Sequence, residues 1–234
     1  MSRKYSTVLF DADNTLLDFD MAEKAALTRV LTEIGVDVTD EVAALYNRIN
    51  LSYWRAFEKG EVTKVELRTR RFKDLFHEIG FEYNGDVVFV ADTYLSYLAK
   101  GAYLLDGAIY LCERLKEEGY KLYIITNGVS ATQKSRLSKS GLDKVMDGVF
   151  ISEDIGTQKP FPEFFDFVFE NIDEKDRTKI IVVGDSYGSD IKGACAAGLD
   201  CVWFNRLKEE NVLSLPITKE ISGLSELLDF FEIV

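Results

Sequence analysis

Short, almost unbroken apolar runs, each halted by a polar cluster, constrain the fold of this chain more than any other feature. The first run is Tyr5 to Phe10, β-branched and aromatic, and it stops at Asp11-Ala12-Asp13-Asn14-Thr15. Similar runs recur at Lys121 to Ile125, Val149 to Ile151, Ile180 to Val183 and Cys201 to Phe204. They do not alternate between apolar and polar, which is the pattern of strands buried on both faces of a parallel sheet. Helical patterns separate them. Ala108 to Glu118 carries Ile109, Leu111, Cys112 and Leu115 at helical spacing, with Gly119 as the stop. Ser130 and Gln133 have capping-box spacing at the head of a helix over 130–140, which ends before Gly141. Helices are also expected over 161–169, 189–197 and 224–231. Strand and helix in alternation predict an α/β fold built on a doubly wound parallel sheet, Rossmann-like in its core.

The stretch from about 17 to 99 reads differently. Amphipathic patterns at Met21 to Ile34, Thr39 to Lys59, Val65 to Ile79 and Val87 to Ala99 follow one another with no strand run between them. Thr63 and Glu66 form a second capping-box pair, and Gly60, Gly80 and Gly85 punctuate the segments. The expected organisation is a catalytic core from 1–16 and 100–234, with an all-helical subdomain of 17–99 inserted after the first strand.

Composition removes several classes of function. A formal net charge of −12 argues against a broad basic surface for a nucleic-acid polymer. No apolar run approaches the roughly 20 residues that span a bilayer, and the first residues do not read as a signal peptide, so a cytoplasmic location away from membranes is expected. Three scattered cysteines, Cys112, Cys195 and Cys201, suit small buried side chains better than a disulfide framework or a zinc site. The single histidine, His77, reads as a surface residue of the helical insert.

In an open parallel sheet, ligands bind beyond the carboxyl ends of the strands. Asp11 and Asp13 follow the first strand, Thr126-Asn127-Gly128 the second, and Gly184-Asp185-Ser186 a later one, with Asp190 close behind. Lys159-Pro160 lies in the loop after Ile151. Converging carboxylates repel unless a cation sits between them, and an all-oxygen set without His or Cys selects Mg²⁺. Since Mg²⁺ commonly works with substrate phosphates, the pattern points to phosphoryl transfer. Lys159 offers charge for a phosphate, Thr126 and the amides of Asn127 and Gly128 offer donors, and Asp11 is a candidate nucleophile acting through an aspartyl-phosphate. Strand alternation puts Asp13 on the side of Asp11, where a general acid/base would meet the leaving group.

FDADNTL, ITNG, the lysine of Gln158-Lys159-Pro160, and GDSYGSD together resemble the four motifs of the haloacid dehalogenase (HAD) superfamily. The insert is similar to that superfamily's first-position cap. NLSYWRAFEKGEVTKVELRTRRF and TNGVSATQKSRLSKSGL further resemble its house-cleaning nucleoside 5′-monophosphatase branch, the pyrimidine 5′-nucleotidases. The resemblance implies that Asp11 attacks phosphorus and Asp13 protonates the leaving oxygen and then activates water. It implies Mg²⁺ held by Asp11, the backbone carbonyl of Asp13 and Asp185, with Asp190 in support, and a phosphoryl group gripped by Thr126 and Lys159. Asn14 stands where many members have glycine; asparagine tolerates unusual backbone angles there. Superfamily dehalogenases and phosphonatases lack the second acid, so Asp13 favours phosphate monoesters.

The insert would close over the strand ends and contact the leaving group, for which Phe19, Asn50, Tyr53, Trp54 and Arg71 are candidates. Tyr46, Asn50, Tyr53, Trp54 and Phe57 recur at helical spacing and suit either a base-stacking wall or the insert's own core. Arg68, Arg70 and Arg71 read as a solvated face paired with acidic residues, and Trp203 as core. The partner implied is a small phosphorylated metabolite, a nucleotide in the nucleotidase branch. A phosphosugar phosphatase or mutase uses the same aspartates. A response-regulator-like phospho-acceptor also combines aspartates, a hydroxyl, a lysine and Mg²⁺, but without a helical insert or a DxDxT strand end.

Overall fold

A computed structural model describes residues 4–233. Six strands run parallel in one sheet: β1 (Thr7–Phe10), β2 (Lys121–Thr126), β3 (Gly148–Ile151), β4 (Ile180–Gly184), β5 (Asp200–Phe204) and β6 (Lys219–Ile221). Their order across the sheet is β3-β2-β1-β4-β5-β6. The chain therefore builds outward from β1 through β2 to β3, then returns to the other side of β1 and builds outward again. That reversal makes the β1/β4 junction the switch point, where the connections leaving neighbouring strands part and open a crevice.

The unbroken apolar runs of β1, β2, β4 and β5 find their reason in the two layers on the sheet, whereas β3, at one edge, departs from the expectation of burial on both faces, with Val149 exposed. Val8, Phe10, Leu122, Ile124, Ile181 and Val183 face one layer, with α5 (Ala108–Glu117), α6 (Ser130–Ser140) and α10 (Glu226–Phe230). Leu9, Ile125, Ile180 and Val182 face the other, with α8 (Pro162–Glu170) and α9 (Lys192–Ala196). Every residue of β1 and β4 is buried, so neither face could carry the polar half of an alternating pattern. Trp203 is core, as expected, at 1% exposure. The three cysteines are free thiols.

Three local features depart from the sequence reading. The short edge strand β6 was not foreseen, because Lys-Glu-Ile has neither the length nor the apolar run of the inner strands. The helix expected from Ser189 opens instead as a single π-type turn, Tyr187–Ile191, before α9 begins. The capping box at Ser130 does not form. Val129 is the cap residue without a side-chain bond, the Ser130 amide donates to Glu153 Oε2 at 2.6 Å, and Gln133 points elsewhere. The Thr63–Glu66 box forms in full.

The chain divides into two compact units. One takes in the described residues through Phe19 and those from Ala102 onward, and the other is Asp20–Gly101. The second unit packs α1 (Phe19–Glu33), α2 (Asp40–Glu58), α3 (Lys64–Glu78) and α4 (Val87–Leu98). Tyr46, Phe72 and Tyr94 form its aromatic centre, with ring centroids 5.4–6.0 Å apart. His77 is exposed, as anticipated. Arg68 and Arg70 pair with Asp92 and Glu66 at the surface, but Arg71 breaks the expected solvated face and is buried. Its Nη1 donates to Asn50 Oδ1 at 2.8 Å, and Asn50 Nδ2 donates to Glu23 Oε1 at 2.6 Å.

Glu23 is thus a buried carboxyl whose counter-charge lies one residue away. Burial pushes it up to about 7 from an ordinary 4.5; the attraction of Arg71 opposes the rise, Asp20 adds to it, and hydrogen bonds from Asn47 and Tyr94 oppose it. Between those two values the folded state holds a proton that the unfolded chain releases, so this carboxyl makes the fold less stable as pH rises through the window. The contribution is on the order of 1–3 kcal/mol. Denaturant unfolding across that pH range should show stability falling, and Glu23→Gln should flatten part of the fall. A slope identical in the variant would show that Glu23 does not titrate there.

Candidate active site

The site begins where β1 and β4 end. The Asp11 amide donates to Val183 O at 2.9 Å, which extends the β1–β4 pairing one residue past the strand and fixes the Asp11 backbone at the switch point. Asn14 then turns the chain with φ +59, the left-handed conformation that asparagine tolerates better than most residues. Its Oδ1 accepts from the Phe19 amide at 3.1 Å, which closes the turn.

Lys159 is the centre of the cluster. The side chain is 1% exposed, and its Nζ donates to Asp11 Oδ1 at 2.7 Å, Asp190 Oδ1 at 2.6 Å and Ile125 O at 2.8 Å. All three ammonium hydrogens are engaged. The backbone of Lys159 is held equally firmly: its N donates to Asn127 Oδ1 at 3.0 Å, and Asn127 Nδ2 donates to its O at 2.9 Å. The Asn127 side chain therefore ties the Lys159 loop to the end of β2.

Asp190 reaches the cluster from the π-type turn, and its Oδ2 accepts from the Ser186 amide at 3.1 Å. A single widened turn of this kind often re-aims a side chain at a functional site. Gly184 is the reason it fits, because a Cβ there would overlap the Asp190 carboxyl. Asp185 is oriented by its own backbone: its amide donates to Thr15 Oγ1 at 3.1 Å, and its carbonyl accepts from Trp203 Nε1 at 2.9 Å. Trp203, anticipated only as core, thus also anchors a candidate metal ligand.

Asp11, Asp185 and Asp190 each present an oxygen within 4.8 Å of the others. Burial drives the Asp11 carboxyl up to about 7, against the pull of Lys159 and with the repulsion of Asp190 and Asp13. Burial also raises Asp185 well above the carboxylate range, and the charges of Asp11 and Asp190 push the same way. Burial alone would lower the Lys159 ammonium, but Asp11 and Asp190 outweigh it and hold it above its usual value. Fully ionised, the three carboxylates facing one ammonium would carry two uncompensated negative charges, and the raised proton affinities of Asp11 and Asp185 reflect that excess. A small divalent cation matches both that deficit and the all-oxygen donor set, so the residues fit the Mg²⁺ inferred from the sequence.

On the other side of Asp11 lie Asp13 and the end of β2. Thr126 is buried, and its Oγ1 accepts from the Gly128 amide at 3.1 Å and from Gln133 Nε2 at 2.8 Å. Gln133 Nε2 also donates to Asp13 Oδ2 at 2.9 Å, and Arg136 Nη1 donates to Asp13 Oδ1. The Arg136 guanidinium has Phe19 5.7 Å away across a ring face. Sequence reasoning missed both Gln133 and Arg136. The available signal was their i, i+3 spacing on α6, which puts two long polar side chains on one face of the helix that follows the TNG loop.

Among the leaving-group candidates, Asn50 and Arg71 are spent within the helical unit on Glu23 and on each other. Tyr53 is half-buried and donates to Asp74 Oδ2 at 2.6 Å, and Trp54 lies edge-on to Phe57 at 5.8 Å. Tyr46 and Phe57 are core, which favours the reading of that aromatic series as the unit's own interior.

Residues 8–204 match the family described as haloacid dehalogenase-like hydrolase. The HAD hydrolase YfnB of Bacillus subtilis (strain 168) is 41% identical over 231 residues, 99% of this chain and 97% of that one. A crystal structure of YfnB bound to magnesium superposes with TM-score 0.92, covering 99% of this chain and 100% of that one. Pyrimidine 5′-nucleotidase PynA of Streptococcus pneumoniae (strain ATCC BAA-255 / R6) is 40% identical over 96% of this chain and 94% of its own length. Pyrimidine 5′-nucleotidase YjjG of Escherichia coli (strain K12) is 32% identical over 96% of each. With the motif carboxylates, hydroxyl and amine gathered at one end of the sheet, the chain belongs to the haloacid dehalogenase-like hydrolases.

Proposed function

We propose that the chain is a Mg²⁺-dependent phosphomonoester hydrolase acting on nucleoside 5′-monophosphates through an aspartyl-phosphate. The observation that carries the reading is a pair of carboxylates two residues apart, held by separate sets of donors. Asp11 is bound to Lys159, and Asp13 to Gln133 and Arg136. That separation supports reading Asp11 as the nucleophile and Asp13 as the acid/base. The nucleotidase assignment is supported by the full-length similarity to PynA and YjjG.

In the first step an Asp11 oxygen attacks phosphorus, the P–O ester bond breaks, and Asp13 delivers a proton to the departing alkoxide. In the second, Asp13 takes a proton from water as that water attacks the aspartyl-phosphate, freeing phosphate and restoring Asp11. The Thr126 hydroxyl and Lys159, which has to release one of its three present acceptors to do so, bind the phosphoryl oxygens, and the Lys159 bond to Asp11 Oδ1 leaves the other Asp11 oxygen for attack. Asp11, Asp185 and Asp190, with the Asp13 carbonyl, would hold Mg²⁺, whose charge would offset the negative charge spread over the phosphoryl oxygens.

Asp11→Asn should abolish steady-state turnover of a nucleoside monophosphate. Asp13→Asn should lower kcat by roughly 10²–10⁴-fold while Mg²⁺ binding persists. Unchanged kcat in either variant refutes the assigned role. A panel of phosphorylated metabolites tests the substrate: nucleoside monophosphates should lead, and strong activity on sugar phosphates with none on nucleotides overturns the nucleotide assignment. A stoichiometric stop after one phosphoryl transfer would favour a phospho-acceptor.

Chelation gives an independent check. Removing divalent ions should end turnover, and adding Mg²⁺ to the stripped protein should raise its melting temperature in a concentration-dependent way, as binding to the folded state alone requires. Asp185→Asn should remove most of that rise. A melting temperature indifferent to Mg²⁺ would reject the metal site.

A further inference from the structure

The strongest unassigned feature is the inner face of α6. Gln133 is 1% exposed and Arg136 is fully buried, yet both carry polar heads on a helix whose buried apolar residue, Leu137, packs into the core. Burying a guanidinium is costly unless its hydrogen bonds are well met, so a buried arginine needs a reason beyond packing. Here each oxygen of one carboxylate is taken by a different residue. Arg136 Nη1 holds Asp13 Oδ1, and Gln133 Nε2 holds Asp13 Oδ2 at 2.9 Å. The two donors are also joined, with Arg136 Nη1 3.3 Å from Gln133 Oε1.

The Gln133 amide does a second thing. It lies 2.8 Å from Thr126 Oγ1, so one side chain spans Asp13 and the hydroxyl at the end of β2. Gly128 makes the path possible: a Cβ there would stand 2.5 Å from Gln133 Cγ and 2.7 Å from its Nε2. The glycine of the TNG loop is needed for this passage, whatever its backbone amide also does.

We propose that Gln133 and Arg136 are positioning residues for the Asp13 carboxyl, fixing it against the Thr126 hydroxyl so that it meets the leaving oxygen. The proposal rests on the reading of Asp13 as the acid/base. Proton delivery depends steeply on placement, and a displacement of about 1 Å can cost on the order of 10²-fold in rate. The cost falls unevenly over substrates. An alkyl phosphate expels a basic alkoxide that needs the proton, whereas a nitrophenyl phosphate expels a stable phenolate that barely does. Loss of positioning therefore steepens the dependence of kcat/KM on leaving-group acidity, and a general loss of folded protein does not.

The test compares wild type with Gln133→Met, Arg136→Met and Arg136→Lys on aryl and alkyl phosphate monoesters of graded leaving-group acidity, in Mg²⁺. The ratio of nitrophenyl to alkyl kcat/KM is taken within one preparation, so it is independent of the fraction folded. We expect it to rise at least about tenfold in both methionine variants, with Arg136→Lys between them and wild type. Asp13→Asn serves as the reference and should raise the ratio further. If Asp13→Asn raises it while both methionine variants stay within about twofold of wild type, the positioning role is wrong and the acid/base reading stands. If Asp13→Asn leaves the ratio unmoved, the acid/base reading fails and takes this proposal with it.

Discussion

The Lys159 ammonium is the interaction on which the rest of the site depends. It is buried to 1% and satisfied by two carboxylates and a backbone carbonyl contributed by three different segments. Without it Asp11 and Asp190 would face each other and Asp185 as like charges in a buried space, a repulsion that low local polarisability makes severe. With it the cluster is held together but, when all three carboxyls are ionised, would remain two charges short of neutrality. That remainder invites a divalent cation without letting the carboxylates fly apart in its absence.

The sheet explains why these groups meet. Its strand order turns back at β1, so β1 and β4 meet at the point where the connections on either side part, the place where open α/β sheets bind ligands. Asp11 enters from β1, Asp185 and Asp190 from β4, and Lys159 from the segment after β3. Residues separated by as much as 179 positions in the chain, Asp11 and Asp190, therefore share one cation. The arrangement needs small residues at particular points, and Gly184 is one: the Asp190 carboxyl occupies the space its side chain would take.

Much of this was legible in the sequence, and the boundary of legibility has a physical cause. Inner strands announce themselves because burial on both faces forces unbroken apolar runs; of the two edge strands, β3 still shows an apolar run although Val149 is exposed, whereas β6, three residues long, carries no such mark. Polar clusters at strand ends point to the site because the α/β architecture fixes where strand ends go. Side chains whose task is to hold another side chain leave no comparable pattern. Gln133 occupied the right spacing for a capping box, and only three-dimensional placement sends it past Gly128 toward Asp13 instead of back to Ser130. Arg71 looked like one of three surface arginines until its partner Asn50 proved to be buried on the neighbouring helix.

Asp11 and Asp13 lie two residues apart in the segment after β1, yet their environments differ. Asp11 is buried against a single ammonium that it shares with Asp190, and its proton affinity rises with burial. Asp13 is about a quarter exposed along its side chain and has both oxygens gripped by donors from α6. A nucleophile has to approach phosphorus from a fixed direction, which favours a rigid, crowded carboxylate. An acid/base has to exchange protons with a leaving group and then with water, which favours one that is oriented but reachable. Two residues of sequence separation put both on one side of the strand end, and Lys159 on the first and Gln133 with Arg136 on the second give them surroundings suited to the two roles proposed for them.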